Sequence, residues 1–461
     1  MVRGPTEDVV DPRTLRTVLA FAGFAAVAFV ARERGLGALR ARFAEPVGEA
    51  HAPAPGVTPG ALAPPAVEPP DEVVDAILRA PPPPAPAAPP RHPLTDAAAL
   101  ANFYARLDAI DARRPGTFVR VAVFGDSVVA DDKIPARIRA RLQARFGDGG
   151  PGFVLAAPPS RWYHPRDVTL DARGFTVRTV VQDERPDDLL GYAGAAFDAR
   201  DAGAGVTLTL RAVSPRPLRV AWWYLARPGG GSFDVRTNDR PATRVRTEIA
   251  VAAPAEHAVT APGGTRAVSL ATVPDGGPVR LYGAVLEREG GGAVVDNLGL
   301  VGSSAAALRR GDEALWRAHL ARRGVDLAVF LLGANEAYRG TIDPARAQRV
   351  FEAMLAAVRA SSVPCAVMAP LDQGVVQGDA VVTRPTLPLL VEAQRAAAHA
   401  QGCAFWDTFA WMGGRNAAAR WERSFWMEHD HVHPTAAGAV RVADAFVDAL
   451  LAARPTRRAA P

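Results

Sequence analysis

At 461 residues the chain is too long for one compact domain and long enough for two with linkers, and its 49% hydrophobic content supports a sizeable core. The formal net charge of +5 comes almost wholly from arginine, Lys133 being the only lysine; these arginines are scattered among acids with no basic stripe, which argues against a nucleic-acid partner. The two cysteines, Cys365 and Cys403, have neither the CxxC nor the Cys/His spacing of a zinc site.

Residues 18–31, VLAFAGFAAVAFVA, form an apolar run flanked by Arg13 and Arg16 before it and Arg32 and Arg34 after it. The run is short for a full membrane span but fits the core of an export signal or a signal anchor. Residues 1–44 are therefore expected to be a signal or anchor region, with cleavage left open. Residues 45–94 are rich in Pro and Ala and read as a semi-rigid spacer. Together they predict an exported protein of the periplasm or cell envelope, tethered to the membrane by its N-terminal segment.

A helix is expected from near Thr95, with Leu100, Phe103, Tyr104, Leu107 and Ile110 on one stripe. Next come a buried strand, FVRVAVFG, and a helix, KIPARIRARLQARFG. After an interruption the alternation resumes: AVVDNLG, the helix AAALRRGDEALWRAHLARRG, DLAVFLLG, PARAQRVFEAMLAAVRA, PCAVMAP, PTLPLLVEAQRAAAHAQG, CAFWDTF and a last helix from Pro434. Buried strands alternating with helices mean a parallel sheet covered on both faces. The fold class is thus α/β, a flavodoxin-like three-layer α/β/α sandwich of five parallel strands, split between 95–154 and 292–454. The interruption, 155–291, holds short alternating runs such as VTLTLRAV and LRVAWWYLA separated by turn residues, and reads as an inserted all-β sandwich of jelly-roll type. Residues 455–461 read as a disordered tail. Cys365 and Cys403 lie in strand-like runs and read as buried free thiols, a disulfide being the alternative in an exported protein.

Four blocks border strand ends and can converge on one edge of the sheet: VAVFGDSVVADD with Ser127, VVDNLGLVGSS with Gly299 and Gly302, VFLLGANEAY with Asn335, and EHDHVHPTAAG with Asp430 and His433. A serine hydroxyl becomes a useful nucleophile when a base takes its proton and a third group orients that base. Ser127, His433 and Asp430 are candidates for these parts. An oxyanion needs preorganised donors, which the Ser127 N–H, a glycine N–H and the Asn335 amide can supply. The G-x-S-x-G elbow is absent, because Val129 stands at its second glycine.

These blocks resemble the SGNH hydrolases, the GDSL esterase/lipase superfamily, with Ser127, Gly302, Asn335 and His433 matching the four letters in turn. The resemblance implies that Gly302, following N-x-G-x-x-G, is the oxyanion glycine. RLQARFGDGGPGFV and the β-insert are similar to bacterial peptidoglycan O-acetylesterases, in which such an insert looks like a carbohydrate-binding module. Val128 and Val129 depart from the residues expected after GDS, which bears on substrate geometry. By this resemblance the chain is expected to be a serine esterase that deacylates, and specifically O-deacetylates, a cell-envelope polysaccharide or peptidoglycan through an acyl-enzyme, without metal or organic cofactor.

Other readings stand beside this one. His429, His431 and His433 alternate along an extended segment and with Asp430 could hold a metal, but no further ligand group pairs with them. Trp222 and Trp223 could offer a sugar-stacking platform, one inward and one outward because neighbouring strand residues face opposite ways; Trp162 and Tyr163 carry the same ambiguity. Glu336 and Asp131 read as solvated loop residues, with a place lining the pocket as the alternative. The same catalytic set also suits a polysaccharide O-acyltransferase, and a non-catalytic glycan-binding protein is the reading from another class.

Overall fold

The computed structural model describes residues 70–81, 91–183, 187–200, 203–238, 240–274 and 277–455. The apolar run 18–31, most of the Pro/Ala tract and the tail from 456 lie outside the described residues. Among the described residues no helix is long and apolar enough to cross a membrane.

The central sheet has five strands: β1 (Phe118–Gly125), β2 (Gly292–Gly299), β3 (Leu327–Leu331), β4 (Cys365–Met368) and β5 (Ala404–Trp406). All pairings are parallel, in the order β2-β1-β3-β4-β5, the doubly wound order of flavodoxin-like proteins. Apart from Arg120, Asp296 and Asn297, the strands are apolar without alternation because helices cover both faces. On one face lie α2 (Ala101–Asp111), α3 (Lys133–Phe146) and α7 (Ala436–Ala452), and on the other α4 (Glu313–Arg323), α5 (Pro344–Arg359) and α6 (Thr386–Ala400). In α2 and the turn before it, Leu100, Phe103, Tyr104 and Leu107 are buried and Ile110 is half-buried. The expected single helix over 305–324 is two pieces, Ala305–Leu308 and α4, because Gly311 breaks the run and Asp312 caps the second piece through the Leu315 N–H.

Between β1 and β2 the chain builds two antiparallel sheets. One holds Thr176–Thr179, Ala195–Ala199, Leu218–Ala226, Ala253–Ala261 and Val279–Arg288, with Gly152–Leu155 pairing onto the last of these. The other holds Val168–Arg173, Gly205–Leu210, Ser232–Thr237, Thr243–Arg246 and Ala267–Thr272. One hydrophobic cluster runs without a break from this sandwich into the central sheet. Phe124 of β1 stacks on Phe330 of β3, ring centroids 5.0 Å apart, and meets Tyr192 of the insert at 6.0 Å. Trp222 and Trp223 are both fully buried, which corrects the expectation of a sugar platform. Their sheet is covered on both faces, so the Trp223 ring, turned from the sandwich, packs on Phe153 and on His319 of α4. Of the second pair, Tyr163 is buried and Trp162 is exposed.

A buried ionic cluster joins the layers. Arg323, at the end of α4, reaches Asp296 of β2 at 2.7 Å and Glu287 of the sandwich at 2.6 Å. Arg120 of β1 makes two bonds to Glu287, and the Tyr192 hydroxyl donates to Asp296.

Two features differ from the sequence expectations. Cys365 and Cys403 form a disulfide between β4 and the residue before β5, so they are not free thiols. Within the Pro/Ala tract, Asp71–Leu78 forms helix α1. This stretch lacks proline and sets Val74 and Leu78 on one face, where they pack against Ala136 and Ala436. Asp71 pairs with Arg166, Asp75 with Arg211, and Arg137 donates to the carbonyls of Leu78 and Ala80.

Candidate active site

Strand register assembles the site. Gly125 at the end of β1 lies beside Gly299 of β2 and Leu331 of β3, so Ser127, Gly302 and Asn335 leave one edge of the sheet within a few residues of each other. The turn into Ser127 requires glycine at 125, since a Cβ there would stand 2.2 Å from Val129 Cγ2 and 2.7 Å from the Leu331 carbonyl oxygen. Ser127 does not cap a helix. Asp126 caps the turn Ser127–Ala130 by accepting from the Val128 N–H at 3.0 Å, which leaves the serine hydroxyl free.

That hydroxyl lies 2.8 Å from His433 Nε2, and His433 Nδ1 lies 2.5 Å from Asp430 Oδ2. The other carboxylate oxygen of Asp430 accepts from the Val432 and His433 N–H groups, each at 2.9 Å, fixing its orientation. Burial works to lower the His433 pKa, but the hydrogen bond and charge of Asp430, with Asp131 and Asp126 behind, outweigh it and hold the imidazole above the ordinary histidine range. Burial likewise works to raise the Asp430 pKa, and the His433 bond and the two N–H bonds hold it below the ordinary carboxylate range. The arrangement can accept the serine proton at Nε2 while Nδ1 stays oriented by a carboxylate.

Gly302 has φ +80°, a left-handed conformation that favours glycine. Among the described residues, neither the Gly302 N–H nor the Ser127 N–H donates to a protein acceptor. The Asn335 Nδ2 donates to the Ser303 carbonyl at 2.8 Å, which ties the third block to the second and leaves one amide N–H unspent. Gly299 instead packs against the Ala130 backbone, where a Cβ would stand 2.4 Å from its nitrogen.

One carboxyl escapes the sequence reading, and another differs from its expected place. Asp126 is fully buried and accepts from both Val128 and Ala334, binding the nucleophile turn to the Asn335 turn. Burial pushes its pKa up to about 6, against the pull of those N–H groups. The signal was an aspartate directly after a strand end, the residue type that satisfies loose N–H groups. Glu336, expected in solvent, is mostly enclosed; it accepts from the Ala305 N–H at 2.9 Å, and burial pushes its pKa up to about 7. Asp131 pairs with Lys133 at 3.0 Å. His429 turns to Glu422 at 2.8 Å, and among the described residues no three His, Cys, Asp or Glu side chains gather in a way that could hold a metal ion.

Residues 260–441 match the GDSL-like Lipase/Acylhydrolase family. The match takes in Gly302, Asn335, Asp430 and His433, whereas Ser127 lies upstream of it, beyond most of the insert. No curated protein matches the chain in sequence. Among solved structures, a peptidoglycan O-acetylesterase aligns with a TM-score of 0.68 and 22% identity over 78% of this chain and 98% of its own; the two share a fold. A catalytic mutant of an acetylxylan esterase from Geobacillus stearothermophilus aligns with a TM-score of 0.27 and 19% identity, over 34% of this chain and 73% of its own. A family two carbohydrate esterase from Cellvibrio japonicus gives 0.20 and 12%, over 51% and 85%.

Proposed function

We propose that this chain, an SGNH hydrolase with a GDSL-like acylhydrolase domain and hence a carboxylic ester hydrolase, is an exported serine esterase that removes acetyl groups from a cell-envelope polysaccharide. The observation that carries the reading is the run of short contacts from Ser127 through His433 to Asp430 at the sheet's carboxyl edge. In this reading Ser127 Oγ bonds to the acetyl carbon as its proton passes to His433 Nε2. The Ser127 and Gly302 N–H groups and the Asn335 amide receive the oxyanion. The bond from the acetyl carbon to the sugar oxygen then breaks as the imidazolium gives its proton to that oxygen. Water repeats the sequence on the acyl-serine, releasing acetate and restoring the hydroxyl. The disulfide supports an oxidising compartment, and the apolar run 18–31 supports export with a membrane tether. The sandwich, in this reading, helps to hold the glycan, through surfaces other than Trp222 and Trp223.

Incubation of the full chain with a panel of O-acetylated glycans is expected to release acetate, and a fluorophosphonate probe to add its mass at Ser127. Absence of both would sink the reading. The intact chain is the proper reagent, since the sandwich and central sheet share one core.

Asp430→Asn gives a more specific test. With the carboxylate gone, burial acts on His433 unopposed at that contact, so the imidazole pKa falls. The reaction needs neutral imidazole, so the acid limb of kcat/KM should move to lower pH. The plateau should drop by roughly 10²- to 10⁴-fold, because the ring loses the partner that orients it. A pH profile of ester hydrolysis checks both; an acid limb moving upward would contradict the assignment.

A further inference from the structure

The arginines of the interior are spent: Arg137, Arg139, Arg280 and Arg323 each end on a carboxylate. Arg384 differs. It follows a hairpin, Gly374–Gln377 and Ala380–Thr383, that the chain adds after β4. Its guanidinium makes no hydrogen bond or ion pair among the described residues, and its Nε is buried with no partner. The guanidinium carbon lies 4.1 Å from the centroid of the Tyr338 ring, and Tyr338 is 66% exposed.

The backbone around this pair is tied to the loops of the reaction centre. Tyr338 follows Asn335 by three residues at the end of the short helix Ala334–Ala337, a spacing that places both on neighbouring positions of one face. The Arg384 N–H donates to the Gln373 carbonyl at 2.8 Å, and the Gln373 amide donates to the Ala334 carbonyl at 3.1 Å. The next residue, Gly374, donates to the His431 carbonyl at 2.9 Å, two residues before His433. The hairpin base that carries Arg384 is thereby bonded to the loop of Asn335 and to the loop of His433.

We propose that Arg384, stacked on Tyr338, is the subsite for a carboxylate carried by the glycan, so that the esterase acts on an acidic acetylated polysaccharide. The proposal rests on the esterase reading above and narrows its substrate. A guanidinium held against an aromatic face is fixed in plane and partly stripped of water, and its N–H edge matches a carboxylate in bidentate fashion. The Nε is sealed from solvent, whereas Nη1 and Nη2 are neither sealed nor bonded among the described residues, so that edge of the fork is the one an incoming carboxylate meets. The exposed part of the Tyr338 ring gives the attached sugar an apolar surface to rest on. Two sources supply the same chemistry: the carboxylate of a uronic acid, or a free carboxylate on peptidoglycan.

The test compares the full-length wild type with Arg384→Ala and Arg384→Lys on acetylated polygalacturonate, O-acetylated muropeptides and neutral acetylated xylan. The ratio of kcat/KM for an acidic over the neutral glycan is expected to exceed one in the wild type and to fall about 10-fold or more in Arg384→Ala, chiefly through KM. Lys should restore part of it, as a charge without the bidentate fork. The arm that responds, polyuronate or muropeptide, identifies the source. An unchanged ratio, or a wild type that prefers xylan, overturns the proposal. Binding of de-esterified galacturonate oligomers and of de-O-acetylated muropeptides to the wild type and to Arg384→Ala keeps the two readings apart. If no ester is hydrolysed, the esterase reading fails, while binding of either ligand lost in Arg384→Ala upholds the anion subsite and equal or absent binding of both rejects it.

Discussion

Ser127→Ala is expected to lower esterase kcat/KM on the order of 10⁴-fold or more, with the melting temperature little changed. The hydroxyl's contact is with His433 Nε2, and it neither caps the turn nor fills the core. Asp126 retains its bonds to Val128 and Ala334 whatever stands at 127, and alanine suits the start of a helical turn. The rate should therefore collapse without the fold. Residual hydrolysis would come from binding and the oxyanion donors, which remain in the variant. Parallel measurement of p-nitrophenyl acetate hydrolysis and thermal unfolding separates the two effects. Turnover that survived in a folded variant would remove residue 127 from the chemistry.

Arg323→Ala is expected to be the most damaging single change to stability, costing about 3–5 kcal/mol. It removes the cation shared by Asp296 and Glu287 and leaves carboxylates buried between the sandwich and the central sheet. Arg120 still reaches Glu287, but Asp296 keeps only neutral donors, the Tyr192 hydroxyl and the Phe153 N–H. The pH dependence follows from Glu287. Burial works to raise its pKa, yet Arg323 and Arg120 hold it down at about 2 against an ordinary 4.5. A depressed acid contributes stability that is fully present above its unfolded pKa and lost as pH falls through the folded one. For Glu287 in the wild type that window runs from about 4.5 down to about 2. In the variant Glu287 loses one of the two cations that hold its pKa down, so its pKa rises and protonation relieves it. The stability gap should therefore be largest near neutral pH and narrow as pH drops toward 3. Denaturant unfolding of both proteins across pH checks magnitude and trend together.

The central sheet was legible because its strands are buried on both faces and carry largely apolar runs, which alternate with long amphipathic helices. The catalytic blocks were legible because each closes a strand, so a parallel sheet brings their ends together. What failed to show has local reasons. Helix α1 hides in a proline-rich tract, where composition masked the few residues that pack. The strand Ala253–Ala261 carries Pro254 at its start and little apolar bulk, so no strand pattern in the sequence announces it. Trp222 and Trp223 obeyed alternation, yet both faces of their sheet are covered, a fact that belongs to the tertiary arrangement. The pairing of Cys365 with Cys403 depends on β4 lying beside β5. Asp126 and Glu336 act through backbone groups of loops distant in sequence, which no periodicity encodes.

The position of the insert has a consequence for biogenesis. β1 is the middle partner of β2 and β3, yet β2 begins 167 positions after β1 ends, at Gly292 against Gly125. At the usual 5–20 residues per second, a ribosome needs roughly ten to thirty seconds to make that stretch. For that interval the nucleophile strand has emerged with neither neighbour available, an apolar segment with both edges open. The nascent chain is thus most prone to stray association early in its synthesis, and holding that strand apart is work for whatever factor meets it first.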